Sequence, residues 1–476
     1  MQVRRSILAT FGLLLSLLLA GCGGSFQLGS QPQNNGNSSV VLAMTDSPPT
    51  EVTVLSSEMT LTGATLTPGN ISLFSGSTTV ELARLQTDVA YLATAANIPA
   101  GSYTSVTLTF ANPSVTFEND TAATLAGCKV GDICTIVPAS TTMSATVPLT
   151  SFSVSSSGTT GLLIDMNLDK LLTATMGADF SAGTSVTSFT PGGTGAPPVG
   201  AEDIVGHVGN ISASGNTFTL TNATASYSLK TDNSSTFFQF PSGAGCAAPG
   251  FGCLKNNQIV SVDIAIESNG SIVAKNIVFE DADSSDAEVE GIITQPNVAS
   301  QQFSMVVLTV SGTGTGLNIG STATVQYSTS PQTPFDIDFL HIDNLQVSTS
   351  SFSSSFTGPA DLVPGQQVSI RRNSASAATL IADRVRLRSS RVTATVQSVG
   401  APNITLKDLP SLFSGHGGVT LIQAQTSVTP PTIYFEIGAS VSASTNIIND
   451  VVSVRGPLFN SGGTNRTLLT TKVVVK

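Results

Sequence analysis

Carboxylates crowd one short stretch of this chain, Glu280-Asp281-Ala282-Asp283-Ser284-Ser285-Asp286, with Glu288 and Glu290 just beyond it. Oxygen donors at this density suit calcium, which takes roughly six to eight oxygen ligands. Asp281, Asp283, Asp286 and Glu288 are the candidate ligands, and calcium is the one cofactor the residues suggest. The spacing is not that of an EF-hand, because no glycine stands at the turn and no glutamate closes the loop. The bland alternative, a solvated acidic connector, has the stronger claim on spacing alone. A smaller acidic group stands at Asp336, Asp338 and Asp343. Against this background Arg384, Arg386 and Arg388 alternate with apolar residues, so they share one face of a strand. Arg371 and Arg372 precede them and Arg391 follows. Such a face suits an anion, a lipid headgroup or an acidic glycan. The same pattern also protects an exposed strand from edge pairing, and that reading is favoured.

Other catalytic constellations are missing from the sequence. His207, His341 and His416 lie far apart, and no His-Glu-x-x-His is present. There is no Gly-x-Ser-x-Gly elbow and no Gly-Lys pair, which removes the hydrolase nucleophile and the Walker A loop. Gly312-Thr313-Gly314-Thr315-Gly316 lacks dinucleotide spacing and reads as a strand-joining loop. An enzyme would need carboxylates such as Asp46, Asp88 or Asp165 to converge in a cleft. Four cysteines fall in two close pairs, Cys128/Cys134 and Cys246/Cys253. Four thiols allow three connectivities, and proximity favours the two local disulfides. Each short loop would contribute about 2 kcal/mol on a chain-entropy estimate. A shared metal is the alternative, but the spacings are not those of zinc ribbons and no histidine is near.

The elements that must position these residues are strands. The chain has 476 residues, enough for three or four domains. Only 10% are charged, so Ser, Thr, Asn, Gln and Gly must cover the surface, while 40% hydrophobic residues suffice for packed cores. The net charge of −11 argues against nucleic acid as a partner. Zero Trp and five Tyr offer little of the flat platform that sugars use, which weakens a glycan partner without removing it.

Residues 1–21 carry Arg4-Arg5 and an apolar run from Ile7 to Ala20, the shape of a secretory signal peptide. The run ends in Leu19-Ala20-Gly21-Cys22, which resembles the lipobox of bacterial lipoproteins. That resemblance implies a lipid on the Cys22 thiol, cleavage before Cys22, and membrane attachment through the lipid. The address is then the cell envelope. Gly23 stands where an inner-membrane retention aspartate would be, which favours the outer membrane. The Arg-Arg pair matches a twin-arginine signal only in part. An exported chain meets an oxidising compartment, where disulfides persist.

Residues 22–39 read as a flexible tether. From 40 to 179 the chain shows short strands: Val40–Met44, Val52–Leu66, Val106–Phe110, Val147–Val154 and Leu162–Met166. Ile71–Phe74 and Thr79–Leu82 look like a hairpin about Gly76, Leu82–Ala96 reads as a helix, and Asn167–Leu172 as a short one. Thr45-Asp46-Ser47-Pro48, Val80–Leu85 with Ile98–Thr104, and Leu162–Leu168 together resemble a domain of unknown function found near the start of many bacterial lipoproteins. That family is similar to prealbumin-like sandwiches and has no attached activity. Residues 180–203 read as a Gly/Pro/Ser/Thr linker.

Beyond it the chain repeats itself at 204–280, 288–388 and 391–476. The openings are Val205-Gly206-His207-Val208, Val289-Glu290-Gly291-Ile292 and Val392-Thr393-Ala394-Thr395-Val396. Their later halves hold Val260-Ser261-Val262, Val368-Ser369-Ile370 and Val452-Ser453-Val454. These units resemble a second uncharacterised family of OB-like barrels in exported bacterial proteins, with an insertion in the second copy around 331–357. The expected architecture is therefore all-β: an N-terminal β-sandwich followed by three small β-barrel (OB-like) repeats. The expected function is a non-enzymatic, lipid-anchored structural, adhesion or ligand-binding stalk with an envelope protein or glycan as partner. An envelope-polymer hydrolase and a calcium-dependent glycan binder are the alternatives.

Overall fold

The computed structural model describes residues 38–47, 52–138, 140–171, 183–193, 199–221, 226–240, 246, 248–279, 287–311, 316–341, 356–372, 379–400, 403–426, 432–436 and 441–476. The protein is all-β, a sandwich followed by three small barrels. The sandwich strands are β1 (Ser38–Ser47), β2 (Thr53–Thr67), β3 (Ile71–Glu81), β4 (Val89–Ile98), β5 (Gly101–Glu118), β6 (Ile133–Ile136), β7 (Thr142–Val154), β8 (Gly158–Asn167) and β9 (Thr184–Phe189). One sheet runs β4-β1-β8-β9 and the other β3-β2-β5, with β6 and β7 on the two halves of β5. The run Val40–Met44 has no polar alternation because β1 is buried on both faces. Val40, Leu42 and Met44 enter the sandwich core, while Val41 and Ala43 enter the core of the first barrel. Among the described residues no helix is long and apolar enough to cross a membrane.

Three local expectations are corrected. Leu82–Ala96 is not one helix. Only Leu82–Gln86 forms a 3-10 turn, and the chain then enters β4. Val89 and Tyr91 pack into the first barrel while Leu92 and Ile98 pack into the sandwich. A strand buried on both faces scatters its apolar residues at spacings that mimic a helix. The hairpin about Gly76 is instead one strand, β3, which passes through Gly76 and pairs along β2. The linker is partly sheet: β9 covers the edge of β8, and its Phe189 ring sits where a Cβ on Gly161 would lie.

The first barrel comprises β10 (Val199–Ser212), β11 (Thr217–Thr221), β12 (Ser226–Thr231), β13 (Phe237–Gln239), β14 (Ile259–Ile266) and β15 (Ile272–Phe279). The second comprises β16 (Ala287–Asn297), β17 (Gln302–Ser311), β18 (Thr322–Gln326), β19 (Phe335–Ile337), β20 (Gln367–Arg372), β21 (Thr379–Ile381) and β22 (Arg384–Leu387). The third comprises β23 (Ser389–Gly400), β24 (Asn403–Lys407), β25 (Leu421–Gln425), β26 (Ile433–Glu436), β27 (Val451–Asn460), β28 (Asn465–Leu469) and β29 (Lys472–Val475). In each, the opening strand pairs antiparallel with both the second strand and the Val-Ser-Val/Ile strand. The third strand pairs parallel with the last, which is split in the second and third barrels. This ring leaves no long bare edge. Gly206 and Gly291 occupy the same place in their opening strands, where a Cβ would strike the Thr221 and Val306 carbonyls of the next strand.

The units do not hang apart. Val199 and Gly200 of β10 pair parallel with Val89 and Ala90 of β4, so the first barrel continues the sandwich sheet. Only Arg388 separates β22 from β23.

Candidate functional site

The candidate site grows from one turn of the sandwich. Glu81 caps the 3-10 turn, accepting the Ala83 N–H at 3.1 Å, the Ser57 N–H at 2.6 Å and the Ser56 hydroxyl at 2.8 Å. Burial raises the pKa of this carboxyl despite those donors. Thr45 at the end of β1 holds the far side of the turn by donating to the Leu85 and Asp88 carbonyls at 3.2 and 3.3 Å. Ser47 donates to the Asp165 carboxylate at 2.9 and 3.1 Å. The three marker segments of the sandwich therefore interlock at one end of it. From this pinned turn Arg84 and Asp88 project toward the barrels.

Asp88 lies at the centre of a buried ionic hub. Its carboxylate accepts from Arg391 at 2.9 Å and Arg455 at 2.8 Å, and from the Lys472 ammonium. Glu202 of β10 accepts from Arg455 and, at 3.4 Å, from Lys472. Burial works to raise the Asp88 carboxyl, but Arg455, Lys472 and Arg391 together hold it well below the usual range. Beside it Arg84 pairs with Glu290 of the second barrel, which also accepts from Gln367 at 2.6 Å and Thr309 at 3.2 Å. Glu290 is pulled down to about 2, against its burial, by Arg84 and then Arg388. Arg391 joins the two halves, donating to the Arg84 carbonyl at 3.1 Å, Thr87 at 3.0 Å and Gln367 at 3.1 Å. The sandwich and all three barrels thus each contribute charged groups to one network. Asp263 flanks it, opposite a bulge at Glu202 and Asp203. Burial, reinforced by those two carboxylates, pushes Asp263 up to about 8, so it is neutral at pH 7.

Next to the hub, a cavity of about 890 Å³ opens between the sandwich, the second barrel and the third. Ala83, Arg84 and Gln86 of the pinned turn line it, as do Leu412 and Phe413 of the third barrel.

The sequence-derived candidates fare as follows. Arg384, Arg386 and Arg388 do share a strand face, yet they are not a free anion patch. Arg384 pairs with Asp336, Arg386 lies 4.0 Å from Asp336 and 3.6 Å from Asp338, and Arg388 reaches Glu288 at 3.0 Å and Asp338 at 3.4 Å. The acidic group of the insertion neutralises them because β19 pairs in parallel with β22, setting Asp336 beside Arg386. Asp281, Asp283 and Asp286 lie outside the described residues, as do Asp343 and Cys22. Glu288, the remaining calcium candidate, is engaged by Arg388 and Ser369. Among the described residues no cluster of three or more His, Cys, Asp or Glu side chains has the geometry to hold a metal. Both disulfides are present with local connectivity, Cys128–Cys134 and Cys246–Cys253. His341 meets Asp338 at 3.0 Å and His416 meets the buried Glu118 at 2.8 Å. Of the three carboxylates named for an enzyme, Asp88 is bound by three cations and Asp165 by Ser47. The Lys476 ammonium donates to the Asp46 carbonyl at 3.0 Å.

Glu202, Arg455 and Lys472 escaped sequence reasoning. For Arg455 and Lys472 the signal was a single charge set against an apolar strand, as in Val454-Arg455 and Lys472-Val473-Val474-Val475, whereas Glu202 stands beside Asp203 in a charged pair.

The architecture places this chain among all-β proteins built from a sandwich and small barrels. Residues 37–181 match the family model described as Domain of unknown function (DUF4382). The matched segment is the sandwich with its three interlocking motifs, and the three barrels lie beyond it. No curated protein matches the chain.

Proposed function

We propose that this chain is a lipid-anchored, non-enzymatic protein of the bacterial cell envelope, most consistent with the outer membrane, that presents its barrels as one rigid scaffold to an envelope partner. The observation that carries the scaffold reading is the ionic hub, which draws charges from the sandwich and from every barrel. An extended stalk would leave those charges in water at little cost. Taking them out of water has a price that only a fixed arrangement offsets. The anchor rests on the lipobox at Leu19–Cys22 and on the tether of residues 22–39. The strand order shared by the three barrels supports their kinship with the OB-like repeat family. A hydrolase would need free neighbouring carboxylates, whereas Asp88 and Glu202 are saturated by Arg391, Arg455 and Lys472.

Two measurements test this reading. Cells fed an alkyne fatty acid should label the wild-type protein and leave Cys22→Ala unlabelled. Equal labelling of both would remove the anchor. Limited proteolysis should cut in the tether and leave the four units as one fragment, whereas early release of single barrels would overturn the scaffold.

A further inference from the structure

We propose that the end of the sandwich where the chain enters β1 is a docking face for the lipid surface that carries the anchor. The hub and the second and third barrels then point away from the membrane. This inference rests on the lipid-anchor reading above.

Strand pairing gathers three turns at that end. Ser38, the first residue of β1, lies across from Ile98 and Gly158, and its hydroxyl donates to the Ser155 carbonyl. Gly101 at the start of β5 lies across from Val154 at the end of β7, and Ser105 across from Thr67 at the end of β2. The Tyr103 hydroxyl donates to the Pro99 carbonyl at 2.7 Å, which holds the β4–β5 turn in place. Residues 68–70, 99–102 and 155–158 are all exposed. The β14–β15 turn of the first barrel comes down beside them, with Gly270 against Thr159, and its Glu267 is paired with Lys275 at 3.9 Å.

Two observations match this end to a bilayer. The first is charge. Among the described residues of the sandwich, no Asp, Glu, Lys or Arg occurs in β1 before Asp46, in β2 after Glu58, in β3 before Glu81, in β5 before Glu118 or in β8 before Asp165. Strands β4, β7 and β9 and the three turns carry none at all. The sandwich's charges therefore stand toward the opposite end, where Asp88 meets the hub. A chain of net charge −11 is repelled by the negative potential of anionic headgroups. An uncharged end comes within a Debye length, about 10 Å at 0.1 M salt, without that repulsion. Its Ser, Thr and Asn side chains offer hydroxyl and amide groups to the headgroups instead.

The second is reach. Residues 23–37, fifteen in all, separate Cys22 from Ser38. A Gly-rich flexible chain of that length spans about 19–23 Å on average. The ten residues of β1 run about 33 Å from Ser38 toward the hub. Bringing the hub end to the bilayer would stretch the tether well past its mean span, whereas the chain-entry end lies where the tether joins the fold.

The test uses the full lipidated chain in vesicles of equal parts phosphatidylethanolamine and phosphatidylglycerol, doped with a headgroup-nitroxide phospholipid that quenches fluorescence. A bimane label is placed on Ser156→Cys at the chain-entry end, or on Ser414→Cys in the third barrel, close to the His416–Glu118 pair at the opposite end of β5. Four native cysteines are closed in disulfides and do not compete for label. Ser157→Cys is a second site if Ser156→Cys does not fold. The expected result is strong quenching at 156 and little at 414. Ala100→Glu with Ser102→Glu sets two carboxylates on the exposed docking face and should lower the quenched population roughly tenfold, an effect that high salt relieves. A wild-type chain that does not float with the vesicles removes the anchor, and this proposal with it. Flotation without quenching at 156 removes the docking face alone. Equal or stronger quenching at 414, or quenching at 156 indifferent to the two glutamates, likewise overturns the proposal.

Discussion

Replacing Asp88 by asparagine tests the hub at its centre. The side chain is 14% exposed, and its partners Arg391, Arg455 and Lys472 are 10%, 6% and 9% exposed. Removing this one negative charge takes from Arg391, Arg455 and Lys472 the carboxylate they share, while Glu202 continues to meet Arg455 and Lys472. Breaking a buried pair by deleting one partner costs about 3–5 kcal/mol, since the surviving charge stays desolvated. Asp88 serves three cations, so about 4 kcal/mol is the lower end of what Asp88→Asn should lose. If the four units unfold as one cooperative body of roughly 440 residues, with an unfolding entropy of about 2.1 cal/mol/K per residue, that loss lowers the melting temperature by about 4 °C. The assay is thermal and urea unfolding of both proteins at pH 7, with the urea slope compared to check that the unfolding unit is unchanged. Adding Lys472→Met to Asp88→Asn should recover part of the loss, because one orphaned charge is replaced by an apolar stem of similar length. A loss below about 1 kcal/mol, the value of an exposed pair, would refute the claim that the hub is buried and cooperative. Additive losses in the double variant would refute the direct coupling of the two residues.

Other perturbations read other parts of the same design. Asp263 is pushed up to about 8 from an ordinary 3.8, so the folded state holds a proton that the unfolded chain releases. Its contribution to stability is full below pH 4, falls as pH rises toward 8, and is flat above that. Asp263→Asn should flatten the fall in urea midpoint between pH 5 and 8. Glu290, lowered to about 2 from 4.5, works in the opposite sense: its contribution is present above pH 4.5 and is lost as acid titration approaches pH 2. Glu290→Gln should therefore be destabilised at pH 7 and show a shallower acid transition. Gly365 has φ of 86° and packs under Phe413 of the third barrel. Gly365→Ala combines left-handed strain with a steric clash and should cost about 2–4 kcal/mol in urea unfolding. Removing the Cys128–Cys134 bridge by double Ser substitution should lower stability by about 2 kcal/mol without changing the far-ultraviolet spectrum.

Much of the fold was legible because strands announce themselves locally. The Val-Ser-Val/Ile signature was visible in all three repeats and the opening-strand glycine in the first two, with Ala394 in its place in the third, and each marks the same pairing in its barrel. Legibility failed where burial on two faces erased the period-two pattern. Strand β4 read as helix because Val89 and Tyr91 face one core while Leu92 faces another. The site was less legible than the fold. The basic strand and the acidic insertion were each seen, yet no local pattern says that Asp336 will lie across from Arg386. The hub was hidden for the same reason. Asp88 and Lys472 are separated by 384 positions, and their contact exists only after four units have docked.

The hub also resolves a problem that repetition creates. Three barrels of one strand order offer nearly equivalent apolar surfaces, so hydrophobic packing alone would tolerate a barrel in a neighbour's place. Pairing fixes the equivalences: Gly206 lies across from Val260, Gly291 from Val368 and Ala394 from Val452. Counting three residues back along the opening strand reaches Asp203, Glu288 and Arg391. Counting three forward along the partner strand reaches Asp263, Arg371 and Arg455. The first barrel is acidic at both positions, the second is mixed, and the third is basic at both. Asp88 of the sandwich and Glu202 of the first barrel accordingly meet the third barrel's cations. An exchanged barrel would bury like charges together, at a cost of several kcal/mol. A chain with so few charges overall concentrates them where a wrong arrangement is most heavily penalised. At pH 7 Asp263 keeps its proton, so the contrast rests on Glu202 beside Asp203 in the first barrel and on Arg391 and Arg455 in the third, and it is this opposition, absent from the shared apolar pattern, that favours the observed docking.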